Sequence, residues 1–174
     1  MRRWLARFAA LLLAACAAQP DLDAPDRLGP PLDRFAVEGR LSLRQGERSD
    51  HVQFDWRHAP ESDVVLFSTP LGQGLAELGR EADGAWLKLP GQPVQHAPDL
   101  TRLALKLFGS PLPLASLADW IGGGHTEMQG EVDGWLITVS ESTPYRQRRL
   151  PRRIEVRRDE IELRIVVTNW GSND

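Results

Sequence analysis

The sequence predicts a mainly β domain with helices, of the α+β class: a strongly curved antiparallel sheet, an incomplete β-barrel, with short helices across its concave side. Three observations carry this. Short segments of strict apolar/polar alternation recur at close spacing between Gly, Pro and Asp turns, which suggests an antiparallel meander. The period changes to a helical one only between residues 98 and 121, so the order is a strand block, two helices and a second strand block. A sheet with one apolar face must cover it, and those two helices are the only lid available.

The first strand is predicted from Phe35, Val37, Gly39, Leu41 and Leu43 on one face against Glu38, Arg40, Ser42 and Arg44 on the other. After a turn at Gln45-Gly46, Val52, Phe54 and Trp56 alternate with Gln53, Asp55 and Arg57, completing a hairpin with one oily side. Val64 to Ser68 and Leu75 to Leu78 read as the next two strands, joined by Thr69-Pro70-Leu71-Gly72-Gln73-Gly74. Proline fixes φ and glycine permits φ above zero, so Leu71 between them is expected to point outward. Ala85 to Leu89 is a further strand between Asp83-Gly84 and Pro90-Gly91 turns. Leu100, Leu103, Ala104 and Leu107 then fall on one helical stripe, with Asp99 placed to cap its start and Gly109 to stop it. Pro111-Leu112-Pro113 leads into a second helix, Leu114 to Ile121, which ends at three glycines. Strands resume at Trp135 to Ser140, Ile154 to Arg158 and Ile161 to Trp170.

Ahead of this domain, residues 1–15 have the layout of a secretory signal: Arg2, Arg3 and Arg7 precede an apolar run, FAALLLAA, too short to cross a bilayer. The segment ends in Leu13-Ala14-Ala15-Cys16, and Cys16 is the only cysteine of the 174 residues, so no intramolecular disulfide is possible. LAAC resembles the bacterial lipobox, which implies cleavage before Cys16 and acylation of that residue. The Ala17 that follows implies sorting to the outer membrane. Residues 16–33 read as the lipidated cysteine and a Pro/Asp-rich tether, and residues 34–174 as the folded domain. Without the signal, 18 basic residues face 24 acidic ones, which argues against a nucleic-acid binder.

No constellation points to catalysis or to a metal. His51, His58, His96 and His125 lack ligand spacing, and there is no nucleophile elbow or glycine-rich phosphate loop. No cofactor is expected. The run Arg146 to Arg158, RQRRLPRRIEVRR, is either the charged outer face of a turn and strand or an electrostatic patch for anionic headgroups or an acidic partner. Trp56, Trp86, Trp120, Trp135 and Trp170 supply a large apolar surface, as core or as the lining of a greasy chamber.

Taken in order, FAVEGRLSL, FDW, STPLGQGLAEL, LPLASLADWIGG, LPRRIEV and LRIVVTNW, with the lipobox ahead of them, resemble the LolB family of outer-membrane lipoprotein receptors. The resemblance runs from the lipobox to Trp170. It implies a helix-closed apolar cavity, with Leu41, Phe54, Trp56, Leu66, Leu87, Leu103, Leu107, Leu117, Trp120, Ile137, Val156 and Ile165 as the acyl-chain lining. It implies a monomer that takes acylated lipoproteins from the periplasmic carrier LolA and inserts them, without nucleotide, into the inner leaflet of the outer membrane. It further implies that Pro70, Leu71 and Gly72 form the membrane-insertion loop, whereas the sequence alone favours a Leu71 that folds back on a neighbouring strand and caps the core. Two readings from other classes compete: an envelope assembly lipoprotein whose packed domain docks a protein, and, more weakly, a hydrolase acting on lipid or envelope polymer.

Overall fold

The computed structural model describes Leu28 and residues 32–171; the signal, Cys16 and most of the tether lie outside the described residues. Ten strands and two helices follow in the order β1 (Phe35–Gln45), β2 (Arg48–Ala59), β3 (Ser62–Ser68), β4 (Gly74–Glu81), β5 (Gly84–Lys88), β6 (Gln95–Ala97), α1 (Leu100–Phe108), α2 (Leu114–Ile121), β7 (Gln129–Val132), β8 (Trp135–Tyr145), β9 (Arg148–Arg158) and β10 (Ile161–Gly171). All the strands belong to one sheet, ordered β6-β5-β4-β3-β2-β1-β10-β9-β8-β7. Two antiparallel meanders therefore meet where β1 pairs with β10, and β6 and β7 are left at opposite margins. The barrel is open, as the strand-helix-strand order predicts.

The helices occupy the gap between the wings. α1 packs on β4, β5 and β6, and α2 packs on β9, so a sheet that touches both must wrap around them. The Asp99 carboxylate accepts from the Arg102 amide at 2.9 Å, satisfying one orphan donor of α1. Gly109 closes the same helix in the left-handed region, at φ 75°, with its N–H donating to the Leu105 carbonyl. The buried face of α1 is Leu100, Leu103, Ala104 and Phe108, with Leu107 at its flank. α2 buries Leu114, Leu117, Ala118, Trp120 and Ile121.

Period-two alternation places Phe35, Val37, Leu41 and Leu43 of β1 inward, and Phe54 and Trp56 of β2 beside them. Gly39 interrupts the β1 series at a register shift, between Glu38 and Gly39, in the β1–β10 ladder. A Cβ there would overlap the Val166 carbonyl oxygen and press on the Phe54 ring at 2.6 Å. Backbone cannot yield as a side chain does, so Gly39→Ala is expected to cost about 1–3 kcal/mol. A lowered urea midpoint at unchanged m would show it.

Two features exceed the sequence reading. β8 runs on to Tyr145 and β9 starts at Arg148, so the arginine-rich run is a hairpin and strand, and many of its charges have partners. Arg153 pairs with Glu141 at 2.8 Å, Arg157 with Glu155 at 2.8 Å, and Arg158 lies 4.2 Å from the Trp135 ring centroid. Two residues ahead of Arg34 also pack on the domain. Leu28 is buried in the core, and the Leu32 amide donates to the Gly122 carbonyl at 2.8 Å, fastening the end of the tether beside α2.

Candidate functional site

The first part of the site is the interior beneath the helices. Leu41, Phe54, Trp56, Leu87, Leu103, Leu117, Trp120, Ile137, Val156 and Ile165 all lie there, each no more than 5% exposed, and belong to one continuous apolar cluster. Leu107 is half-buried at the edge of that cluster. Leu66 is a correction. It is 45% exposed on the outer face, because β3 alternates and gives the inward positions to Val65 and Phe67. Leu103, Leu117, Ile137 and Val156 are wholly excluded from solvent, so no water-sized space adjoins them. At these four positions the interior is packed by its own side chains. One point fastens the end of α1 to the sheet: Gln45 Nε2 donates to the Phe108 carbonyl at 3.1 Å and to Ser110 Oγ at 2.7 Å.

The second part is the β3–β4 loop. The Thr69 amide donates to the Gln73 carbonyl at 2.8 Å, the Gly72 amide to the Thr69 carbonyl at 2.9 Å, and the Gln73 amide to Thr69 Oγ1 at 3.1 Å. From outside, Gln53 Nε2 on β2 donates to the Pro70 carbonyl at 3.4 Å. Gly72 has φ 84° with open space where a Cβ would stand, so conformation rather than crowding calls for glycine. This stiff frame carries Leu71, which is 97% exposed. A fully solvated leucine on a pinned loop retains an apolar surface that folding has not buried, as the family resemblance implies.

The third part is a charged cluster that sequence reasoning missed. Asp63, 1% exposed, accepts from Trp56 Nε1 at 2.9 Å, from Arg80 Nε at 2.7 Å, and lies 2.7 Å from His58 Nδ1. Burial pushes the Asp63 carboxyl up, but the hydrogen bonds from His58, Trp56 and Arg80 outweigh it and hold the group below its ordinary value. The available signal was register: Asp63 shares the inward positions of β3 with Val65 and Phe67. His58 also stacks on Phe35, at 4.8 Å between centroids, and the two lie in one rung of the β1–β2 ladder. A cleft of about 490 Å³ opens here, between Leu32, His58, Arg80, Asp119 and His125. Among the described residues no group of three or more His, Cys, Asp or Glu side chains is arranged to hold a metal.

An open antiparallel sheet wrapped around two lid helices, with an apolar interior and a solvent-exposed apolar hook, defines a lipid-handling half-barrel. Among solved structures, a LolA-superfamily protein from Nitrosomonas europaea shares this fold at TM-score 0.52 and 10% identity, over 83% of this chain and 88% of its own. A DUF1329-family protein from Desulfovibrio piger does so at TM-score 0.56 and 12% identity, over 81% and 86%. The family model described as "Outer membrane lipoprotein LolB" matches residues 33–170. The chain belongs to the LolB family. It is 33% identical to the outer-membrane lipoprotein LolB of Thiobacillus denitrificans, over 82% of this chain and 83% of that one. It is 32% identical to that of Chromobacterium violaceum, over 98% and 99%. The protein is thus an outer-membrane lipoprotein of the lipoprotein-localisation system, and the family resemblance seen in the sequence holds across the whole domain.

Proposed function

We propose that the protein, anchored through an acylated Cys16, accepts lipoproteins from the periplasmic carrier LolA and releases them into the inner leaflet of the outer membrane. It has no catalytic role in this reading. The acyl chains occupy the space between helices and sheet after α1 and α2 lift. A sixteen-carbon chain has roughly 15 methylenes, and at about 0.8 kcal/mol each its free passage through water would cost on the order of 12 kcal/mol. Shielded passage is therefore required. With no nucleotide to drive it, the direction follows the affinity order carrier, receptor, bilayer. An interior that refills with its own side chains favours release, because every departing chain is replaced by regained core contacts.

The observation that carries the reading is the 97% exposed Leu71 on a hydrogen-bonded frame, in a fold whose interior is a continuous apolar cluster. The test uses the protein without residues 1–16, mixed with purified cargo-loaded carrier and no nucleotide. Cargo should move to the receptor, and then to added liposomes. Retention of all cargo on the carrier would overturn the reading. A second reading, a scaffold that docks a protein partner, draws on the packed interior positions. Uptake of a fluorescent fatty-acyl probe at a stoichiometry near one separates the two, since a scaffold core takes up none.

A further inference from the structure

On the outer face of the sheet, at the foot of the β3–β4 loop, lies a cleft of about 200 Å³ bordered by Arg40, Ser42, His51, Gln53, Pro70 and Arg164. None of these residues is acidic. Arg40 is exposed and has no ion-pair or hydrogen-bond partner among the described residues. Its rung neighbours are Gln53 on β2 and Val166 on β10, and Gln53 is the residue that holds the Pro70 carbonyl. The cleft and the loop are thus joined through one side chain. Along the β9–β10 side, two carboxylates serve three guanidiniums: Glu162 meets Arg44 at 2.6 Å, Arg164 at 3.1 Å and Arg157 at 3.4 Å, while Glu155 meets Arg157 at 2.8 Å and Arg164 at 3.7 Å. With Arg40, four guanidiniums face these two carboxylates on this side of the cleft. Arg40 and Gln53 also line the adjoining cleft, whose wall carries Glu38 and Asp55, so the cationic face of Arg40 is the one turned toward Pro70 and Arg164.

We infer that the cleft of Arg40, His51 and Arg164 binds the phosphodiester of an anionic phospholipid headgroup and so sets the depth and orientation at which Leu71 meets the leaflet. The inference rests on the membrane-release reading of Leu71 given above. A leucine that reaches the acyl region places the base of its loop among the headgroups, where phosphates are concentrated. There a guanidinium matches a phosphate oxygen pair in shape and charge. Leu75, 38% exposed and next to Gly74 at the loop's far end, and Leu66, 45% exposed on β3, add apolar surface on the same side of the sheet. The charge is available here: among the described residues the Arg40 guanidinium makes no ion pair or hydrogen bond that a bound lipid would have to break.

The test is flotation of the protein without residues 1–16 on vesicles of phosphatidylcholine alone or with phosphatidylglycerol at increasing fraction, for the wild type, Arg40→Gln, Arg40→Lys and Leu71→Glu. Wild-type binding should rise with the phosphatidylglycerol fraction and fall with salt. Arg40→Gln should lose about fivefold of that gain, the effect of one cation near an anionic surface, and Arg40→Lys should recover much of it. All the variants should accept cargo from loaded carrier, since Arg40 is remote from the interior. Equal binding of Arg40→Gln and wild type at every phosphatidylglycerol fraction overturns the headgroup site, whatever Leu71→Glu does. Normal release by Leu71→Glu removes the underlying reading instead. Inhibition of vesicle binding by free inorganic phosphate at equal charge concentration would show an anion site without lipid selectivity, and would also count against the inference.

Discussion

Leu71→Glu is expected to accept cargo from loaded carrier at the wild-type level and to deliver almost none of it to liposomes. Moving from a leucine to an ionised side chain in an apolar layer is a swing of about 3 kcal/mol, on the order of 100-fold in the population of the inserted loop. The fold should not register the change, because the side chain is 97% exposed and surface substitutions stay within about 0.5 kcal/mol. The loop's hydrogen bonds come from Thr69, Gly72, Gln73 and Gln53 rather than from Leu71, so the frame survives in the variant. Leu71→Ala should fall between the two, since it shortens the apolar hook without charging it. The measurement is the fraction of cargo co-floating with liposomes against the fraction left on the receptor. Delivery by the glutamate variant at the wild-type rate would show that Leu71 takes no part in release.

Asp63→Ala should cause the largest loss of stability of any single substitution considered for this protein. It strands the buried Trp56 Nε1, the largely buried His58 ring and the Arg80 guanidinium together, and breaking a buried ion pair from one side costs about 3–5 kcal/mol. The lower end applies, because the Arg80 side chain is 29% exposed and can turn to water. A drop in melting temperature of roughly 10 °C is expected. Asp63→Asn separates charge from shape. The carboxyl's folded value lies below its ordinary 3.8, so its stabilisation is whole above that pH and disappears as the pH falls through the folded value. The asparagine variant lacks this contribution at every pH. Its deficit against wild type should be greatest near neutrality and shrink below about pH 3.8, as followed by denaturant titrations at several pH values. A deficit constant from pH 7 to pH 2 would show that the charge is unimportant there.

Much of this architecture was legible because strands and helices write different periods into a sequence. The alternation around Phe35 to Leu43 and Val52 to Trp56 located β1 and β2 and their inward faces, and the 100-103-104 spacing with Asp99 and Gly109 located α1 within a residue at each end. Short elements escaped: β6, with three residues, and β7, with four, show too little period to be read, and their pairing is fixed by the strands beside them. Of the lining, Leu66 was misplaced because an apolar residue within a run such as Val64-Val65-Leu66-Phe67 gives no alternation to follow. Asp63 was overlooked for the converse reason. An acid in an inward register is ordinarily an argument against burial, and only the convergence of Trp56 and His58 from β2 and Arg80 from β4 makes it tolerable. That Leu103, Leu117, Ile137 and Val156 are packed by the protein's own side chains is likewise a matter of three-dimensional fit, on which composition is silent.

The burial of Leu28 in the core and the bond from Leu32 to Gly122 shorten the leash. If Cys16 is the anchor, only residues 17–27 separate the membrane from the first fixed point, and at 3.3–3.6 Å per residue the twelve steps from Cys16 to Leu28 extend at most about 43 Å. Leu32 enters the body at the end where Phe35 and His58 share a rung, whereas the Pro70–Gly72 hook leaves β3 beyond the Gln53–Ser68 rung and faces the opposite way. A domain of this size measures on the order of 30–40 Å across. For hook and anchor to enter one leaflet, a reach of about 43 Å must cover nearly the full height of the body, which leaves little slack for tumbling.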